Sequence, residues 1–129
     1  MSRPRYGERR DGMQRFWYVD RLWELAEALP VEDVPIDDIR GPDAVTWYYP
    51  GGPEPTCRSI AAHCRRINAA DLSYPILLTE DGCVFDGMHR IARCLMEGRT
   101  TIQARRFVTN PEPDEAYAIG PDGQRLTPG

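Results

Sequence analysis

The spacing of apolar residues changes period several times along the chain. Phe16, Val19, Trp23 and Ala26 fall on one stripe with Leu22, Leu25 and Leu29 alongside, which predicts a helix over residues 13–30. Asp11 followed by Gln14 resembles a capping box at its start, and Pro30 closes it. Val34 and Ile36 alternate with polar neighbours, predicting a strand over 31–39 in which Pro35 suits an edge or the start of the strand. Thr56, a good N-cap after Pro55, opens a second helix to Ile67 with Ile60, Cys64 and Ile67 as its apolar stripe.

The densest signal runs from Tyr74 to Phe107. Pro75 to Thr79 is a short apolar run that reads as a strand, and Glu80-Asp81-Gly82 turns it back into Cys83-Val84-Phe85. Asp86-Gly87 breaks that strand. Met88, Ile91 and Leu95 then recur at helical spacing with Cys94 beside them, predicting a helix from Met88 to Glu97 that Gly98 stops. Thr100 to Phe107 reads as a further strand. Helices and short strands mixed in this way predict an α+β fold.

The connections carry their own message. Residues 41–55 form a long loop holding Trp47, Tyr48 and Tyr49. Loops of that length are usually functional or disordered, and three adjacent aromatics speak against disorder. Two readings stand: a lid stacking on a base or small substrate, or a loop pinned to its own protein. The cluster Phe16-Trp17-Tyr18 with Trp23 reads as core or interface. Residues 1–12 read as a flexible basic arm with Arg3, Arg5, Arg9 and Arg10, and residues 109–129 as an extended or partly disordered tail that Tyr117 and Ile119 could dock, on its own chain or across a partner subunit. That leaves one domain over 13–108, with the 13–30 helix ahead of a 31–108 core.

Charge and cysteine content narrow the class. A net charge of −4 argues against a general nucleic-acid binder. No apolar run approaches a membrane span, and the basic N-terminus has no apolar segment behind it, so neither a spanning helix nor a secretory signal is expected. Cys57, Cys64, Cys83 and Cys94 make no CxxC pair, and His63 and His89 supply no metal spacing. Cys57 and Cys64, seven apart on one helix, share a face and read as buried, reduced thiols of a cytoplasmic protein.

Candidate chemistry sits where the second strand of the hairpin meets its helix. The first turn of a helix offers unpaired N–H groups and the positive end of the macrodipole. Gly87 lets a phosphate approach the backbone, while His89 and Arg90 add donors in the same turn. Asp86 could bind Mg²⁺ or take a proton from a hydroxyl, and His89 could share in the catalysis. The structural reading of the same residues is equally simple: Asp86 caps, Gly87 turns, and His89 with Arg90 forms a solvated face. On the preceding helix Ser59 and His63 share a polar face, and Arg65 and Arg66 read as solvated.

The motifs Val34-Pro35-Ile36-Asp37-Asp38-Ile39-Arg40, Thr56 to Ile67, Tyr74-Pro75-Ile76 and Asp86-Gly87-Met88-His89-Arg90, in that order, resemble the core of the ParB/sulfiredoxin superfamily. The resemblance covers residues 31–108. It implies a small mixed sheet with flanking helices, and a nucleotide site in which Gly87, Met88, His89 and Arg90 meet the phosphates. In sulfiredoxins the preceding helix gives a Lys, a Ser and a Thr to those phosphates. Ser59 matches the Ser, Thr56 and His63 replace the other two, and Arg58 stands in for the missing positive charge. Sulfiredoxin activity is not expected, because Met88 occupies the position of the nucleophilic Cys. The chain ends about 20 residues past the core, without the helix-turn-helix of partition proteins, and Gly7-Glu8-Arg9-Arg10 spells their nucleotide motif only ahead of the core. The resemblance thus implies a nucleotide- or phosphate-binding domain. One form is a phosphotransferase using ATP or ADP (or CTP as the nucleotide) with Mg²⁺ on a small-molecule acceptor. The alternative is a non-catalytic nucleotide- or anion-binding regulatory module, with a homodimer as its candidate assembly. A ParB-like nuclease or DNA-partition accessory protein ranks behind both.

Overall fold

The structure is a computed structural model and describes residues 3–126. It is an α+β fold with two small sheets and three helices. The elements in order are β1 (Arg5–Arg10), β2 (Met13–Tyr18), α1 (Val19–Ala26), β3 (Glu32–Pro35), α2 (Cys57–Asn68), β4 (Ile76–Leu78), β5 (Val84–Asp86), α3 (Met88–Met96), β6 (Thr101–Arg106) and β7 (Glu115–Ala118). One sheet runs β3-β6-β4-β5, with β4 and β6 parallel and the outer pairs antiparallel. The other runs β1-β2-β7, antiparallel throughout.

The run Ile76-Leu77-Leu78 is apolar without alternation because β4 is buried on both faces. Ile76 and Leu78 join Ile36, Ile39, Ile91, Cys94, Ile102 and Ala104 in a core on the α3 side. Leu77 points the other way, into a second core with Trp17, Leu22, Ala26, Phe85 and Phe107. This period of two on a single strand divides the molecule into two hydrophobic layers. The Glu80-Asp81-Gly82 turn forms as expected, with Thr79 N–H donating to Cys83 O and Gly82 at a φ of 82°.

The helices that frame the sheet form for the reasons their sequences suggest. Thr56 caps α2 by accepting the Ser59 N–H through Oγ1. Gly98, at a φ of 73°, ends α3, and the N–H groups of Gly98 and Arg99 return to Leu95 O and Cys94 O. The expected 31–39 strand is shorter: β3 stops at Pro35, and a single helical turn over Ile36–Asp38 drives Ile36 and Ile39 into the core.

The N-terminal third departs most from expectation. Residues 13–18 are not the start of a helix but strand β2, and residues 5–10 are not an arm but strand β1. Asp11 and Gly12, at φ of 54° and 72°, make the two-residue hairpin turn that this dipeptide favours. Gln14 caps nothing. It is buried mid-sheet, donating to Glu8 O and Arg15 O and accepting from Arg9 Nε. The helical stripe therefore begins only at Val19. Residues 109–126 dock on their own chain: β7 pairs with β2, Trp17 Nε1 donates to Pro111 O, and Asp114 holds Tyr18 N–H and Arg21. Of the four free cysteines, Cys94 is buried, whereas Cys57 and Cys64 are exposed because α2 turns only Ile67 fully inward.

Candidate functional site

β5 delivers Asp86 to the edge of the main sheet, and Gly87 turns the chain into α3. At a φ of 123° Gly87 holds a conformation that other residues avoid, and a Cβ there would run into Ile76. Its smallness is thus demanded by packing as well as by any ligand. Among the described residues no side chain caps α3, whose first helical bond is Ile91 N–H to Gly87 O. The N–H groups of Met88, His89 and Arg90 accordingly have no helical partner.

Arg90 and Asp86 hold this turn together. Arg90 Nη1 donates to Pro75 O at 3.0 Å, and Nη2 meets Asp86 Oδ2 at 3.2 Å. The same Oδ2 accepts the Trp23 indole N–H at 2.8 Å. Arg90 is mostly buried, with the Trp23 ring on its flank. Its planar fork ties β4, β5 and α3 to each other, and α1 joins through Trp23. Asp86 neither caps α3 nor stands free: one of its oxygens receives both bonds, and the other receives none from the described residues.

His89 projects from the first turn of α3 toward α2. Its Nε2 lies 2.8 Å from His63 Nδ1, a hydrogen bond between two imidazoles. Their ring centroids are 5.1 Å apart and their planes differ by 19°, so the rings meet edge to edge in nearly one plane. Trp47 covers that plane, with its indole 4.3 Å from His63 and 4.7 Å from His89 and tilted by 13° and 11°. Tyr48 stands edge-on to His63, and its hydroxyl is 3.1 Å from Ser59 Oγ. The aromatic loop is therefore fastened to α2 and α3 in this structure, through the histidine pair.

Beside this group opens a cleft of about 620 Å³. Asp86, Gly87, Met88, His89 and Arg90 line it together with Trp47, Arg66, Asp71 and Tyr74. The volume is that of an ordinary small-molecule site. Arg66 is exposed and forms no ion pair among the described residues, unlike Arg90. Burial, aided by the Arg66 charge, lowers the His63 pKa from its ordinary value of 6.5. The His89 pKa is lowered by burial, then by His63 and Arg66, with Asp86 opposing. Both imidazoles thus favour the neutral form at neutral pH.

The structure gathers the five residues of the Asp86–Arg90 turn, brings in His63 through His89, and sets Ser59 one contact further back. Arg58 lies apart, on a face of α2 with Thr56, Ala61 and Arg65. Met88 points its thioether toward the core and the Gly41 backbone, so its contribution to the cleft is shape and its N–H. Arg66, read from the sequence as solvated, is exposed as expected, and what that reading did not give is its place in the lining of the cleft. Its signal was the spacing: three residues after His63, it shares that helix face. Among the described residues no three His, Cys, Asp or Glu gather as a metal site, and no helix is long and apolar enough to cross a membrane. Compared with family models, curated proteins and solved structures, the chain finds no match.

Proposed function

We propose that the cleft binds a phosphate-bearing small molecule of nucleotide size, with its anionic group at the N-terminus of α3. The carrying observation is the uncapped first turn of α3 opening into a cleft of about 620 Å³. Met88, His89 and Arg90, whose N–H groups have no helical partner, line that cleft together with Arg66, which forms no ion pair among the described residues. Trp47 offers a flat surface to a base or other planar group. The element order β3-α2-β4-β5-α3-β6 supports a ParB/sulfiredoxin-like core, the family whose turn the sequence resembles. A cytoplasmic setting fits four unpaired cysteines.

In this reading Arg90 supports the turn and Arg66 meets the ligand. The nucleotide fits the donors present. A resident Mg²⁺ fits them less well, because one oxygen of Asp86 already serves Trp23 and Arg90. Binding as proposed needs no metal, and Asp86 has one oxygen for an ion brought by the phosphates. Transfer of a phosphoryl group is the catalytic form of the proposal, with Asp86 or His89 accepting the proton of the acceptor hydroxyl.

Isothermal titration with ATP, ADP and CTP, with and without Mg²⁺, tests the reading. Binding that weakens about tenfold or more in Arg66→Ala, the worth of one charge-assisted hydrogen bond, supports it. Absence of binding to all three, or full affinity in the variant, overturns it. Loss of ATP turnover with retained binding in Asp86→Asn would mark the catalytic form.

A further inference from the structure

The histidine pair has a property that phosphate binding alone does not require. A hydrogen bond between two imidazoles at 2.8 Å contains one proton, held by one nitrogen and accepted by the other. With both rings neutral, the shared proton sits on either His63 Nδ1 or His89 Nε2, and the two outer nitrogens take opposite roles. One further proton can be added at an outer nitrogen without breaking the bond. A second cannot, since two N–H groups would then face each other. The pair therefore has room for one proton and a path for moving it. A proton gained at His89 Nδ1 lets the shared proton cross to His63, and the positive charge passes from the cleft wall to α2.

The surroundings decide when that proton arrives. From α2, Arg66 opposes it. From α3, Arg90 contributes a cation already matched by Asp86 of β5. Arg5 of β1 and Asp71 of the α2–β4 connection also line the cleft, and Tyr48 presents a ring edge to His63. Trp47 lays its indole face over both rings, a surface that attracts a cation and keeps water off one side. An anion beside His89 and Arg66 reverses the balance of charge.

Building on the anion site proposed above, we infer that the His63–His89 pair takes up one proton from solvent when an anion enters the cleft. His89 touches the ligand, and His63 is the positioning residue that acts through it as the far half of a proton relay. Uptake forms one N–H bond, at an outer ring nitrogen, to a proton supplied by solvent; the proton between the rings exchanges its N–H bond from one ring to the other, and the single positive charge stays within the pair until the anion leaves. Affinity for the anion then rises as pH falls, by about tenfold per pH unit where one proton is linked.

Titration calorimetry with ADP, and with sulfate as an anion of constant charge, in buffers of different ionisation heat counts the protons taken up. The expected result is net uptake approaching one per anion in the natural protein, lost in His89→Gln and reduced in His63→Gln. Binding without uptake, or uptake that is unchanged in either variant, overturns the relay and leaves the anion site standing. Failure of both anions to bind overturns the two together. Nitrogen-detected magnetic resonance of the free protein gives a second check, because the chain has only two histidines. A coupled titration, in which both rings respond to each step and His63→Gln shifts the His89 midpoint upward while burial and Arg66 still hold it below the ordinary value, supports the shared proton. Two independent titrations overturn it.

Discussion

At residue scale the turn Asp86–Arg90 shows how one short motif serves two purposes. Gly87 was legible as a turn, and the structure adds the reason: its neighbour is Ile76, too close for a Cβ. Gly87→Ala is expected to lower stability by about 2 kcal/mol or more, combining a disfavoured φ with a clash against a buried strand, and urea unfolding measures it. Arg90 was legible as a cation near the site. Its partners were not, because Pro75 O and the Trp23–Asp86 bond come from distant parts of the chain. The histidines carry a pH dependence whose sign follows from their environment. Both have folded pKa values below 6.5. As pH falls below 6.5 the unfolded chain binds protons first, so stability is full above that point and declines as pH drops through the lowered folded values. Thermal unfolding across this range should show that decline, and it should shrink in a His63→Gln, His89→Gln double variant.

At the scale of elements the sequence spoke clearly where caps and breaks are local. Thr56 opening α2, Gly98 closing α3 and the Asp81-Gly82 corner all act within a few residues. It misled at Met13, where Phe16 and Val19 happen to be three apart and extend a helical stripe into a strand. Asp11-Gly12 was the stronger local signal, a hairpin turn between two runs of equal length. The end of α1 was legible only as Pro30, four residues past Ala26, where the helix stops. No glycine or basic residue of its own last turn closes it; Arg105 of β6 reaches across, and Nη1 donates to Ala26 O, Glu27 O and Leu29 O at 3.1, 3.0 and 2.8 Å. A cation on these carbonyls satisfies orphan acceptors and opposes the negative end of the dipole. Arg105→Met keeps the stem and removes the donors. It should cost about 1–3 kcal/mol, with amide exchange accelerating first in α1 and the 27–30 turn.

For the whole molecule, the question is which parts the main sheet needs in order to fold. The α3 side is covered from within residues 31–108, as the sequence pattern suggested. The other side is not. Leu77, Phe85 and Phe107 are covered by Trp17 of β2 and by Leu22 and Ala26 of α1, with Tyr6 of β1 edge-on to Phe85 at 5.2 Å. β7 and the 109–114 segment in turn hold β2 in place through Pro111 and Asp114. The hairpin, α1 and the tail are thus one lid over half of the core, and no periodicity in one segment could reveal a cover assembled from both ends of the chain. Two consequences can be measured. The full chain should unfold in a single transition by near- and far-ultraviolet circular dichroism, since the two cores share β4. A fragment of residues 31–108 should lack a cooperative transition and bind a hydrophobic dye, because it bares the Leu77 face and loses Trp23, the partner that helps hold Asp86. Independent folding of that fragment, with Arg66-dependent anion binding intact, would show that the cover serves another end than stability.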